Sequence, residues 1–325
     1  MNENYMDVLV QYEEEVTHVR RGRGAWICER ADGVKLLKEY KGTLKRLEIE
    51  AEVLQAVRDG GLPQVDQYIA NKEGNLLSIA GDGTKYILKD WYLDRECNLR
   101  EPREILFAIS RLAALHTLLR QVKSSEDWTL GSILPVREEE EMARHNRELQ
   151  RARNYISKKR KKSEFELCVM ENYSMFSEQA HEAQRGLELL QKTSGQDRLF
   201  LCHGDLNQHR VLFGNGYVAF IEFNKMHLGV QMEDLYHFMR KVMEKQNWNE
   251  HLGLSMIEAY DAVLPISDME KQWLYYMFLY PEKYWKQLNY YINANKAWIP
   301  ARNVEKLRIL EQQQDGRNRF LSKIK

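Results

Sequence analysis

The chain predicts an α+β fold in two lobes: a small antiparallel sheet with one helix over residues 1–93, then a large, mainly helical lobe over 94–325. Three observations predict it. Strand-like alternation broken by glycine turns fills the first third, and helical periodicity takes over from about Glu104. Two short apolar strands then interrupt the helices around a polar loop near residue 203. With 325 residues, 43% hydrophobic and 30% charged, the chain has enough apolar material for two cores and the balance of a globular protein.

Taken in order, residues 16–20 are β-prone and lead into Arg21-Gly22-Arg23-Gly24. Residues 25–30 and 34–40 flank Ala31-Asp32-Gly33, a hairpin turn sequence. Residues 43–57 are helical, with Leu44, Leu47, Ala51 and Leu54 as the apolar stripe, and Gly60-Gly61-Leu62-Pro63 stops the helix. Strands at 76–80 and 85–93, on either side of Gly81-Asp82-Gly83, bring the expected sheet to five strands. Farther on, 105–119 is apolar on one face, 138–162 is very polar, and 164–193 returns to helical periodicity. Residues 199–202 and 218–223 are the two short strands, and helices follow Gln231, including an aromatic stretch at 273–298.

Composition excludes several classes. Lys+Arg and Asp+Glu both number 48, so bulk electrostatics give no basis for nucleic-acid binding. Cys28, Cys97, Cys168 and Cys202 are scattered with no Cys-x-x-Cys pair, which argues against a zinc site or a disulfide framework and for a reducing interior. The first residues are acidic and lack the layout of a signal peptide. No apolar run reaches the roughly 20 residues that span a membrane. Neither nucleic acid nor membrane is expected as a partner, and synthesis is expected in the cytoplasm.

Lys38 shares one strand face with Val34, Leu36 and Tyr40, while Lys35 faces the other way. A lysine among apolar neighbours requires an anion or a carboxylate. On the following helix Glu50 lies at the edge of the apolar stripe, whereas Glu48 and Glu52 point away from it. The expected pair is therefore Lys38–Glu50, set against the plainer alternative of two solvated charges. Gly22 and Gly24 belong to a turn that either covers phosphates or simply closes a hairpin.

The densest segment is Cys202-His203-Gly204-Asp205-Leu206-Asn207-Gln208-His209-Arg210-Val211-Leu212-Phe213, followed by Ile221-Glu222-Phe223-Asn224. Alone, His203 and Asp205 fit a turn with local side-chain hydrogen bonds. With its flanking strands the segment resembles the catalytic segment of the aminoglycoside phosphotransferase and choline kinase superfamily: His-Gly-Asp, then an Asn, then a strand ending in Asp. Leu112-Ala113-Ala114-Leu115-His116 is similar to the helix ahead of that loop, and Asp234-Leu235 to the later acid that braces it.

This resemblance implies a protein-kinase-like fold that binds ATP or another nucleoside triphosphate. Asp205 is then the catalytic base, His203 braces the loop and Lys38 meets the phosphates. Residues 89–93, with Asp90 and Trp91, are either the hinge whose backbone meets adenine or only a buried strand edge. Two positions depart from the pattern. Arg210 stands where the family has its metal-binding Asn, and Glu222 where it has its metal-binding Asp. Glutamate can hold Mg²⁺ through oxygen, but arginine has donors and no lone pair to offer. Mg²⁺ is thus in question: Asn207 and His209 are poor substitutes, and Asn224, where many relatives carry another acid, weakens the site further. The protein is then a pseudokinase or a feeble enzyme, or Arg210 replaces part of the metal's charge and holds phosphates directly.

Further stretches are similar to the CotS-type spore coat family within that superfamily. They are Gly83-Thr84-Lys85-Tyr86-Ile87-Leu88-Lys89-Asp90-Trp91-Tyr92, Glu233-Asp234-Leu235-Tyr236-His237-Phe238-Met239-Arg240-Lys241, Tyr280-Pro281-Glu282-Lys283-Tyr284-Trp285, Asn295-Lys296-Ala297-Trp298 and Arg302-Asn303-Val304-Glu305-Lys306. The resemblance implies a role in sporulation, spore coat proteins as partners and the spore coat as destination. Two other readings stay open: a small-molecule kinase for an aminoglycoside, choline or a sugar, and a non-catalytic coat assembly protein. For the former, the aromatic stretch would offer a cation–π cage; the plainer reading is packing. The basic run 158–162 reads as a solvated helix face or a site for a polyanion. His116, His227 and His237 read as packing residues.

Overall fold

Tight glycine turns dictate the first sheet. The structure, a computed structural model, describes residues 4–22, 24–123, 128, 133–134, 137–193, 199–294 and 301–325. After a short helix α1 (Asn4–Leu9), strands β1 (Val16–Gly22) and β2 (Ala25–Arg30) form a hairpin in which Gly22 is opposite Ala25 and Gly24 takes φ +72°. That left-handed conformation is cheap only for glycine. A second turn at Gly33 (φ +113°) leads into β3 (Gly33–Glu39).

Helix α2 (Leu44–Asp59) begins at Thr43, whose hydroxyl accepts the Arg46 N–H at 3.2 Å, and ends where the Gly60 N–H closes on Ala56 O at 3.0 Å. Its buried side is Leu47, Ile49, Glu50, Val53, Leu54 and Val57, while Leu44 of the expected stripe is exposed. Strands β4 (Tyr68–Ile69), β5 (Ser78–Ile79) and β6 (Lys85–Asp90) complete the sheet, with β6 antiparallel to β3. The order is β1-β2-β3-β6-β4, with β5 also on β6, so there are six strands rather than five. The addition is β4, too short to carry an alternating signal. Alternation along β3 splits its leucines: Leu37 packs with Val8, Cys28 and Leu88, and Leu36 with Ile27, Trp91, Leu212 and Ile221.

Strand β7 (Arg95–Glu96) and helix α3 (Pro102–Leu119) follow, with proline in the first turn, where its missing N–H costs nothing. Helices α4 (Glu138–Ser157) and α5 (Glu164–Thr193) come next. The chain then forms β8 (Phe200–Cys202), a 3₁₀ turn (Gln208–Arg210), β9 (Val211–Phe213), β10 (Val218–Phe220) and β11 (His227–Gly229). β9 pairs with β10 and β7, and β11 runs antiparallel to β8. β10 stops before the expected end at 223, because the Glu222 N–H turns away to Asp66.

Compactness groups Met1–Pro135 with Phe200–Asp234, and Val136–Leu199 with Leu235–Lys325. The His203–Asp205 segment therefore shares a compact unit with the sheet. The second unit holds α4, α5 and most of α6 (Met232–Lys245), with α7 (Glu250–Asp261), α8 (Asp268–Leu279), α9 (Glu282–Asn293), α10 (Ala301–Gln312) and α11 (Gln314–Ile324). Its aromatics do pack: Trp273, Phe278, Tyr280 and Tyr284 are buried, and Trp285 stacks on His145 at 3.5 Å. Residues 295–298 of the aromatic stretch lie outside the described residues. In the basic run, Lys159 pairs with Glu166, and Lys162 Nζ donates to Lys159 O at 2.9 Å. Among the described residues no helix is long and apolar enough to cross a membrane.

Candidate active site

The loop after β8 can form only around glycine. Gly204 has φ +80°, and a Cβ there would lie 2.2 Å from Lys225 O and 2.8 Å from His227 Nδ1. Beneath the turn sits Asp234, buried in the first turn of α6. Its Oδ2 accepts the His203 N–H at 2.6 Å and its Oδ1 the Gly204 N–H at 2.9 Å. His116 of α3 brings Nε2 to 3.2 Å from Asp234 Oδ2. Burial pushes the His116 imidazole down, so a neutral ring donates its Nε2–H. Burial, the largest single influence, would raise Asp234, but the hydrogen bond from His116 together with the electrostatic pull of His116 and His203 holds the carboxyl low.

His203 has both ring nitrogens engaged. Nδ1 accepts the Asp205 N–H at 3.3 Å and Nε2 donates to Ile221 O at 3.0 Å, with the buried ring 4.5 Å from that of Phe223. It is a positioning residue that shapes the loop. Asp205 is its open product, with a side chain 44% exposed. Asn207 caps the 3₁₀ turn by accepting the His209 N–H at 3.0 Å, and the turn presents Arg210. Arg210 Nη2 lies 3.3 Å from Asp205 Oδ2 and Nη1 lies 3.5 Å from Glu222 Oε2, so one guanidinium spans both acids.

Glu222 is the hub. Its φ of 69° is left-handed, which costs a non-glycine residue about 1–2 kcal/mol. Its N–H donates to Asp66 Oδ2 at 2.8 Å, which offsets part of that cost. Lys38 Nζ reaches its two oxygens at 3.4 and 3.3 Å, and Lys89 Nζ reaches Oε1 at 3.3 Å. Burial acts to raise this carboxyl, but Lys89, Lys38 and Arg210 together hold it down at about 2. Lys89 is itself buried and sits 2.5 Å from Asp66 Oδ2. Burial disfavours its charge, yet Asp66 and Glu222 more than compensate and it stays an ammonium. Lys38, Lys89 and Arg210 thus balance Asp66, Asp205 and Glu222 in charge. Asp66 Oδ1 and Arg210 Nε are buried with no hydrogen-bond partner among the described residues.

The remaining sequence candidates are placed differently. Lys38 and Glu50 do not pair. Glu50 is buried and taken by Arg46, one turn earlier on α2, and by the Tyr68 hydroxyl at 2.6 Å. An i,i+4 arginine is a nearer partner than a lysine on a neighbouring strand, so Lys38 turns to Glu222. Asp90 binds Lys35 and Arg58, each at 2.8 Å, and its N–H donates to Gln67 O. The Trp91 N–H donates to Val34 O at 3.0 Å and the ring packs in the apolar cluster on the Leu36 face. Gly22 and Gly24 stand at the β1–β2 hairpin, whose Arg23 lies outside the described residues. His209 turns to Glu96 at 2.6 Å, and Asn224 offers its backbone carbonyl to Arg46.

Asp66 was missed by sequence reasoning, and Lys89 was expected only at the start of the 89–93 segment, not as a partner of buried acids. The available signal was Lys89 on the Ile87 face of a strand with Ile87, Leu88 and Lys89 all buried, a place where a lysine needs an acid. This donor set does not fit Mg²⁺: Glu222, the one carboxylate expected as a ligand, is already held by Lys38, Lys89 and the Arg210 guanidinium, and arginine carries no lone pair.

No protein-family model matches the chain, and no curated protein matches it. Solved structures do. An aminoglycoside phosphotransferase from Alicyclobacillus acidocaldarius aligns at TM-score 0.84 and 17% identity, over 98% of this chain and 94% of that one. Spectinomycin phosphotransferase in complex with ADP and spectinomycin aligns at TM-score 0.58 and 16% identity, over 94% and 92%. Amicoumacin kinase in complex with AMP-PNP and Ca²⁺ aligns at 0.60 and 12%, over 97% and 92%. At these identities the likeness shows the fold: this chain is built like the aminoglycoside phosphotransferases, with a kinase-like antiparallel sheet followed by helices.

Proposed function

We propose that the protein is a nucleotide-binding, kinase-like phosphotransferase whose metal site has been rebuilt around Arg210. The observation that carries this is the Arg210 guanidinium bridging Asp205 and Glu222 beside Lys38. Lys38, with its side chain 35% exposed, and Arg210 would hold phosphate oxygens through charge-assisted hydrogen bonds, in exchange for their present hold on Glu222. Asp205 would accept the proton of an acceptor hydroxyl as that oxygen bonds to the terminal phosphorus and the nucleoside diphosphate leaves. His203, Asp234 and His116 keep the base in place. The sequence stretches similar to CotS-type proteins support synthesis in the cytoplasm and a role in the spore coat, with coat proteins as partners or acceptors. A small-molecule acceptor is the second reading, favoured by neighbours that are antibiotic kinases.

Thermal shift with ATP in EDTA and in Mg²⁺ tests the binding step. Stabilisation in EDTA is expected, worth about 2.7 kcal/mol at 100-fold excess over Kd. Arg210→Asn should lose that shift and gain a Mg²⁺-dependent one. No shift in either condition refutes nucleotide binding and leaves a scaffold. Radiolabel transfer to coat extract, and to a panel of aminoglycosides, choline and sugars, identifies the acceptor; label equal in the wild type and Asp205→Ala refutes turnover.

A further inference from the structure

Against the Gly204 turn, where a Cβ would stand 2.8 Å from His227 Nδ1, three side chains of metal-ligating type converge. Cys202 and His227 are directly opposed across the β8–β11 pair, and Glu233 enters from the first turn of α6. One sulfur, one nitrogen and one oxygen from these residues lie within 4.8 Å of one another, and all three residues are buried. Among the described residues this is the only such trio.

Three features go beyond proximity. His227 Nδ1 lies 3.1 Å from Lys225 O, which places a proton on Nδ1 and turns Nε2 toward Glu233 Oε2 at 2.9 Å. A ring nitrogen anchored on a backbone carbonyl is the usual support of a metal-binding histidine. Gly229, two residues along β11, leaves space over the donors: a Cβ there would stand 3.1 Å from His227 Nε2 and 3.3 Å from Cys202 Sγ. Charge also closes, since a thiolate, a carboxylate and a neutral imidazole balance a divalent ion, which burial demands.

We infer that Cys202, His227 and Glu233 form a binding site for a thiophilic divalent cation of the zinc class. Zinc takes this donor set with bonds of about 2.0–2.3 Å, so neighbouring donors stand roughly 3.3–3.6 Å apart. With its donors already within 4.8 Å of one another, the trio reaches that by closing no gap by more than about 1.5 Å. Binding releases the Cys202 thiol proton and the His227 Nε2 proton to solvent. The ion would tie β8, β11 and α6 together where Asp234, beside Glu233, holds the His203 and Gly204 amides. It would therefore stiffen the Asp205 loop. The inference is independent of nucleotide binding.

The test is Co²⁺ titration of the full chain, stripped with chelator and kept reduced and anaerobic. A thiolate-to-cobalt charge-transfer band that saturates at a single equivalent, is displaced by Zn²⁺ and is missing from Cys202→Ser is the expected result. Absence of the band in the folded wild type overturns the site without reference to any variant. So does the same band in a Cys202→Ser protein whose circular dichroism is native, since another cysteine then binds the metal.

Discussion

Replacing Lys89 by methionine removes one charge from the middle of the Glu222 network and keeps most of the apolar stem. Its Nζ stands 2.5 Å from Asp66 Oδ2 and 3.3 Å from Glu222 Oε1. At an effective dielectric near 20, those separations correspond to gross attractions of roughly 7 and 5 kcal/mol. Stripping water from the ions costs several kcal/mol each, so the intact network contributes far less than that sum. The variant keeps the desolvation and loses the attraction, leaving Asp66 and Glu222 buried with one cation fewer. Removal of one partner from such a pair costs about 3–5 kcal/mol. Urea unfolding followed by tryptophan fluorescence and circular dichroism should show the sheet-bearing unit melting earlier by that amount. Adding Asp66→Asn should recover more than half, because the unpaired buried carboxylate is gone while Lys38 and Arg210 still hold Glu222. A Lys89→Met protein within about 0.5 kcal/mol of wild type, the range of ordinary surface changes, would refute the account.

The Glu222 carboxyl, held at about 2, makes the fold acid-labile in a defined window. Its folded pKa is depressed, so its stabilisation is complete above the unfolded value of about 4.3 and disappears as pH falls toward 2. The loss is about 3 kcal/mol at 1.36 kcal/mol per unit. In acid titrations Glu222→Gln should be less stable at neutral pH and flatter between those limits; parallel curves would contradict this. Gly204→Ala and Gly24→Ala should differ, although both positions have left-handed φ. At Gly24 the Cβ meets open space and the cost is about 1 kcal/mol, whereas at Gly204 it strikes backbone and should exceed about 2 kcal/mol in the same urea assay.

Much of the local structure was legible. The helix α2 starting near residue 43, the Gly24 and Gly33 hairpins, and the strand alternation that sends Lys35 and Lys38 to opposite faces are all written in short-range chemistry. The Asp234 brace was legible too, through resemblance. What failed was partner choice. Glu50 sat where the helix wheel put it, buried at the stripe's edge, but periodicity cannot say that Arg46 would reach it before Lys38. The strands β4, β7, β9 and β11 were lost because two or three residues carry no period.

His203-Gly204-Asp205, and Arg210 five residues after Asp205, were determined by the sequence alone, because they depend on which residues follow one another along a loop. Only the tertiary structure decided that Glu222 would be shared by Lys38, Lys89 and Arg210. It likewise decided that Asp66 would receive the Glu222 N–H from 156 positions away, and that Cys202, scattered and unpaired in sequence, would meet His227 and Glu233. Burial supplies the reason. A charge withdrawn from water must find its counterpart in space, and that requirement selects partners by fold rather than by spacing.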